Sequence, residues 1–255
     1  MLGTSVHAVS FDDLLAIIDA ALATNQRLIL AHQNMHGAYV ARRDPEFRRY
    51  IDAAHVVYPD GMSMVAAGRL LGLPFKREMR STSVDFVWPL SEYAASHGYR
   101  LFFVGGKPGV AEQGAARLKA AHPNLAIETH HGYFDKAPSA SENQQVIEQI
   151  NAFAPHLLIV GFGMPLQERW IADNYTRINA PIVWPIGALM DYLAGEIPTP
   201  PRWMGRTGLE WLYRVGAEPR RLWKRYIVEP WFLIPPLVGD LVRYRLRRGA
   251  DRSQA

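Results

Sequence analysis

The chain has no cysteine among its 255 residues. That excludes disulfides, thiolate-held metals and a cysteine nucleophile, and it fits a reducing compartment. Residues 1–25 carry no basic start followed by an apolar core, so no secretory leader is expected. The most apolar stretch, Tyr226 to Val242, is interrupted by Glu229, Pro230, Pro235-Pro236 and Asp240, which unfits it to span a bilayer. Several signature loops are missing as well. There is no GxSxG elbow for a serine hydrolase, no GK[ST] of a Walker loop, and no Asp-x-Asp pair of the sort that holds a divalent ion against a nucleotide diphosphate. Adjacent histidines on a strand point to opposite faces, so His130-His131 is not expected to ligate a metal. Neither an internal repeat nor a low-complexity run occurs.

What is present describes a globular α/β protein. Hydrophobic residues make up 49% and charged residues 20%, enough apolar surface for one large domain with or without an appendage. Six apolar runs end near Ala31, Pro59, Val104, Thr129, Val160 and Trp184, and helical patterns separate them. Such alternation predicts a Rossmann-like, mostly parallel sheet with helices on both faces. Ser10 and Asp13 resemble a capping box before a helix from Phe11 to Ala23. After Pro198-Thr199-Pro200-Pro201 the pattern changes to arginine interleaved with aromatics. The expected division is therefore a core of 1–201 and a basic, helical appendage of 202–255. Residues 1–201 carry a net charge of −3 and residues 202–255 a net of +7. A basic tail of that kind is drawn to an anionic surface, nucleic acid or membrane. Its apolar stretch, flanked by Arg220, Arg221, Lys224 and Arg225 and by Arg243, Arg245, Arg247 and Arg248, suits a bilayer interface better than a groove that tracks phosphates.

Three strand ends carry chemistry. In Val56-Val57-Tyr58-Pro59-Asp60-Gly61 a carboxylate stands where open α/β sheets bind ligands. The plainer role for Asp60 is to cap the helix starting near Ser63. Gly105-Gly106-Lys107-Pro108-Gly109 follows a strand and opens a helix, a setting for phosphate on backbone amides, or simply a glycine turn. Gly161-Phe162-Gly163 leads into Met164-Pro165-Leu166-Gln167 and lacks the third glycine of a dinucleotide fingerprint, which weakens an oxidoreductase reading.

The chain resembles the WecG/TagA/CpsF glycosyltransferases. The resemblance rests on ARRDPEFRRYIDAA (41–54), PDGM (59–62), FFVGGKPGVAE (102–112), HHGYFD (130–135), GFGMPLQERWIA (161–172), ALMDYLAG (188–195) and PRWMGRTGLEWLYRVGAEPRRLWKRY (201–226). It implies an inverting, metal-independent transferase without a cofactor. Such an enzyme moves a sugar from a UDP-sugar to a polyprenyl-diphosphate-linked saccharide in bacterial surface or extracellular polysaccharide synthesis. It would work in the cytoplasm, peripherally bound to the inner face of the membrane, with no nucleic-acid partner. The resemblance further implies Asp60 as catalytic base and Asn34 and Gln167 in the active site. Arg80, Tyr133 and Asp191 would border the donor pocket, and Arg214, Arg221, Lys224 and Arg225 would reach over from the appendage. On this reading Gly105, Gly106 and Lys107 help the tail arginines hold the leaving diphosphate. His32-Gln33-Asn34 stands where the family usually has Thr-Pro-Asn, which places His32 beside the donor sugar. The run Trp184 to Asp191 departs from the family's glycine-rich one. Two readings from other classes are a basic α/β nucleic-acid-binding protein and a nucleotide-cofactor oxidoreductase.

Overall fold

The computed structural model describes the backbone of residues 1–253 and the side chains of residues 1–205 and 207–246. The side chains of Arg247 and Arg248 of the expected basic flank, and residues 254 and 255 of the expected appendage, lie outside what is described. Six parallel strands form one sheet in the order β2-β1-β6-β5-β3-β4. They are β1 (Leu28–Gln33), β2 (Val56–Pro59), β3 (Leu101–Gly105), β4 (Ile127–His130), β5 (Leu157–Gly161) and β6 (Ile182–Pro185). The strands are apolar throughout because both faces are covered. Leu101 and Phe103 of β3 enter one core cluster, while Phe102 and Val104 enter the other.

Local chemistry sets the helix ends. Ser10 Oγ accepts from the Asp13 amide at 3.2 Å, and Asp13 Oδ2 accepts from the Ser10 amide at 2.7 Å. This is the capping box expected at the start of α1 (Phe11–Ala23). α2 (Met35–Ala41) and α3 (Pro45–Ala53) are separated where Asp44 caps α3 and Pro45 occupies its first turn. α4 (Met62–Leu70) and α5 (Ser83–His97) follow β2. α6 (Val110–Ala121), α7 (Ser141–Phe153) and α8 (Leu166–Asn174) then alternate with β3 to β5. α9 (Leu189–Ala194) follows β6.

β1 runs beyond the apolar segment Arg27–Ala31 through Gln33, so His32 lies on a strand and pairs with Tyr58. The polar Gln33 is tolerated there because its buried amide donates to Thr4 Oγ1 at 3.0 Å.

Residues beyond Pro201 form α10 (Arg202–Thr207), α11 (Glu210–Ala217), α12 (Pro219–Trp223), a π-helical turn (Lys224–Val228) and α13 (Glu229–Ser253). Pro235 and Pro236 do not end α13. They leave the carbonyls of Trp231 and Phe232 without their usual helical donors, and both residues are exposed, so solvent can reach those groups. Among the described residues no helix is long and apolar enough to cross a membrane. α13 is nevertheless anchored to the core. Leu233 is buried with Leu2, Ala38 and Met64, and Asp240 Oδ2 accepts from the Leu2 amide at 2.6 Å.

Candidate active site

A cleft of about 1420 Å³ opens over the carboxyl ends of the strands, the usual ligand side of a parallel sheet. Each strand end contributes to its wall: Asn34 after β1, Asp60 after β2, Lys107 after β3, Tyr133 after β4, Gly163 after β5 and Asp191 beyond β6. The opposite wall comes from the C-terminal helices and carries Arg214, Arg221, Lys224 and Arg225. Chain segments far apart in sequence thus meet around one volume.

Asp60 owes its position to Asn34. Asn34 is the N-cap of α2, and its Oδ1 accepts from the Gly37 amide at 2.9 Å. With the oxygen committed to the cap, the amide nitrogen faces Asp60 and donates to Oδ2 at 2.9 Å. The Asp60 amide donates to the Gln33 carbonyl at 2.8 Å. The carboxylate does not cap α4, whose N-cap is Gly61 without a side-chain bond. Gly61 has φ 85°, a left-handed turn that leaves the carboxylate on the cleft wall.

The floor is made of backbone. A Cβ on Gly105 would meet the Gly161 carbonyl oxygen at 2.4 Å, and one on Gly161 would meet that of Gly187 at 2.6 Å. Gly105 therefore lies beneath the cleft, not on it, and Gly106 is the neighbour that reaches the wall. Of the two expected amide donors only Gly106 lines the cleft, and Gly105 is glycine because two strands approach closely there. Gln167 is on the wall but its amide is already engaged. Its Oε1 accepts from Gly163 N at 3.2 Å and Gly187 N at 3.0 Å, tying together the loops after β5 and β6. Its Nε2 donates to Glu168 Oε1 at 2.8 Å. Glu168 is 1% exposed and Oε2 has no hydrogen-bond partner. Burial pushes this carboxyl above its ordinary value, outweighing the opposing influence of His32 and the Gln167 bond.

His32 lines the cleft, with Nδ1 3.0 Å from the Pro185 carbonyl. A carbonyl only accepts, so Nδ1 is the protonated nitrogen of this contact, which leaves Nε2 for a ligand in the cleft.

The C-terminal wall mixes arginines with Glu210, Glu218 and Glu229, and two of the described arginines are without ion pairs. Among the described residues Arg214 and Arg225 form no ion pair at contact distance, and buried Arg214 Nε has no hydrogen-bond partner. Burial, joined by the repulsion of Arg214, lowers Arg225 below its ordinary value. Arg221 is paired with Glu218 at 2.6 Å, and Lys224 lies over the Trp223 ring. Facing them, Asp191 is raised by burial against the lowering effects of Arg221 and Lys107. An anion entering here would relieve the repulsion between the two guanidinium groups.

Arg80 departs from expectation. It does not line the main cleft; it binds Asp85 at 2.5 Å and Glu210 at 2.9 Å on the other side of Asp60. Three residues on or under the wall went unnoticed in the sequence. Lys136 donates to the carbonyls of Gly132 and Phe134, and burial lowers its ammonium. His36 binds Glu229 at 2.6 Å and joins α2 to α13. Glu168 had only its neighbour Gln167 as a signal. Among the described residues no group of three or more His, Asp or Glu side chains is arranged to hold a metal.

The model of the glycosyl transferase WecG/TagA/CpsF family matches residues 1–250. Curated relatives from Staphylococcus aureus, in strains NCTC 8325 / PS 47 and COL among others, are 24% identical over 230 residues. The match covers 86% of this chain and 85% of theirs. These relatives are named N-acetylglucosaminyldiphosphoundecaprenol N-acetyl-beta-D-mannosaminyltransferase.

The buried Glu168 carboxyl makes stability depend on pH. Its folded value lies above 4.5, so as pH rises past 4.5 the unfolded chain gives up this proton first and folding is progressively disfavoured. Glu168→Gln keeps the acceptor for Gln167 without an ionisable group. The variant is expected to melt above wild type at pH 8, with the gap closing toward pH 4.5. A gap that does not change with pH in thermal melts would assign the difference to packing.

Proposed function

Because the chain belongs to the WecG/TagA/CpsF family of glycosyl transferases, we propose that it moves a sugar from a UDP-sugar to a saccharide carried on a polyprenyl diphosphate. The observation that carries this reading is Asp60, a hydrogen-bonded carboxylate on one wall of the strand-end cleft whose other wall carries Arg214 and Arg225, neither in an ion pair at contact distance among the described residues. The acceptor hydroxyl oxygen attacks the anomeric carbon, its proton passes to Asp60, and the bond from that carbon to the phosphate oxygen breaks. UDP leaves from the opposite face of the sugar, so configuration inverts. A single displacement needs one base and a stabilised leaving group. Lys107 and the amide of Gly106 lie on the strand side, and Arg214, Arg221, Lys224 and Arg225 on the tail side, as charge for two diphosphates, the donor's and the acceptor's. No step is routed through a metal. The acceptor named for the S. aureus relatives, a sugar on diphosphoundecaprenol, supports the lipid half of the reading. A role in bacterial surface-polysaccharide assembly on the inner face of the membrane follows. Neither nucleic-acid binding nor nicotinamide chemistry finds comparable support.

Asp60→Asn keeps the shape and the Asn34 contact through its oxygen but removes the base. Transfer is expected to fall about 10²–10⁴-fold with the melting temperature little changed. Turnover near the wild-type rate would sink the assignment. His32 faces the cleft where the family usually has threonine, so His32→Thr is expected to reorder the rates with a panel of UDP-hexoses, UDP-N-acetylhexosamines and UDP-uronates. An unchanged donor ranking would remove it as a selector.

Membrane attachment is the third expectation. Among the described residues, twelve of the sixteen large hydrophobic side chains that are exposed lie beyond residue 202, including Trp231, Val238, Val242 and Leu246 on α13. With a net +7 in the same segment, the tail combines apolar contact with attraction to acidic headgroups, about 1 kcal/mol per basic residue near the surface. Full-length protein should co-sediment with anionic vesicles at low salt. Trp231→Ser with Val242→Ser should pellet several-fold less. Equal pelleting of both proteins would make the exposed face irrelevant to docking.

A further inference from the structure

Asp60 stands at the meeting point of two cavities of opposite character. On one side is the polar cleft described above. On the other a groove of about 390 Å³ runs between α4 and the C-terminal helices, a volume typical of small-molecule sites. Its walls are largely apolar, drawn from Met35, Met62, Trp211, Leu233, Ile234 and Leu237. Asn34, Asp60, Arg214 and Arg225 line both volumes. A ligand lying across the junction would therefore have its anionic part at the two arginines and its apolar part along the methionines and α13.

We propose that this groove is the binding site for the first isoprene units of the acceptor lipid, with the diphosphate held between Arg214 and Arg225. The proposal rests on the glycosyltransferase reading and adds to it the path of the chain. Three features select an isoprenoid over other occupants. The groove is joined to the site of transfer at Asp60, so its occupant is part of a substrate and not a separate partner. Arg214 and Arg225 stand at the junction beside Asp60 and Glu210, form no ion pair at contact distance among the described residues, and offer two guanidinium groups to a diphosphate. The far wall is α13, whose outward residues Trp231, Val238 and Val242 are exposed and apolar, so the groove and the face offered to the bilayer are two sides of one helix. The methionine side chains on the groove wall, Met35 and Met62, adapt to a branched, unsaturated chain.

Titration of the full-length protein with dimethylallyl diphosphate and with farnesyl diphosphate tests the proposal, because the two share a headgroup and differ by two isoprene units. Both should bind, with farnesyl diphosphate tighter by tenfold or more and with a more negative heat-capacity change by calorimetry. The double variant Met62→Gln with Ile234→Gln, checked for an unchanged circular dichroism spectrum, should bring the ratio of the two affinities below threefold. If wild type binds both diphosphates with a ratio under tenfold, the groove is not the lipid site and the transferase reading stands. The same conclusion follows if the double variant keeps the full ratio. If neither diphosphate binds, the arginine pair is not a diphosphate site, and both the proposal and the acceptor reading fall.

Discussion

The Asn34 side chain is the constraint on which the site depends. It is the first residue after β1 and the N-cap of α2, so its backbone is fixed by a strand on one side and a helix on the other. Its oxygen must face the Gly37 amide, because an uncapped N-terminus costs about 1 kcal/mol. That requirement leaves the NH₂ group only one direction, toward Asp60. The carboxylate is thus aimed by helix capping, a stability device, and not by a contact formed only on ligand binding. Exchanging Asn34 for aspartate would keep the cap but set two carboxylates against each other, so the amide serves both roles where an acid serves one.

Around that fixed carboxylate the molecule separates polar from apolar space. The strand-end cleft is floored by glycine backbone and fringed with charge, whereas the groove behind Asp60 is lined by methionine, leucine and isoleucine. Arg80 belongs to the second compartment. Its pairs with Asp85 and Glu210 join the start of α5 to the start of α11 and neutralise it there. Arg214 and Arg225 have no such partners and remain available at the junction. Charge that is paired holds the walls together, and charge that is unpaired faces the ligand space.

The sheet was largely legible in the sequence, since strands buried on both faces must be continuously apolar, and glycine, proline and capping residues punctuate the helices between them. Asp60 and Lys107 stood out by their places after strands and the tail arginines by the family's motifs, and the fold brings them around one cleft. Distance across the fold hid the rest. Nothing in Gly105-Gly106 tells which glycine meets a ligand and which meets the backbone of Gly161; only the packing of β3 on β5 separates them. Gln167 reads as a ligand contact until its amide is seen tying Gly163 to Gly187, and Glu168 reads as a surface charge until α8 turns it inward. The prolines of α13 suggested interruption, yet two missing hydrogen bonds on an exposed helix are tolerated when the other face is buried.

α2 ties the site to the tail. At its start Asn34 holds Asp60, and two residues on His36 binds Glu229, the first residue of α13. Burial and the nearby Arg225 lower the His36 imidazole against the opposing pull of Glu229, whose carboxylate lies 2.6 Å from Nδ1. Further along, Ala38 packs against Leu233, and Tyr39 meets Phe232 at a ring distance of 5.9 Å. α13 therefore cannot lift from the core without disturbing the helix that holds Asp60 and moving Arg225 on the cleft wall. The helix has one face on α2 and leaves apolar side chains exposed on the other. The geometry of Asp60 and the seating of the tail are then a single packing arrangement, and a contact that steadies α13 also steadies Asp60.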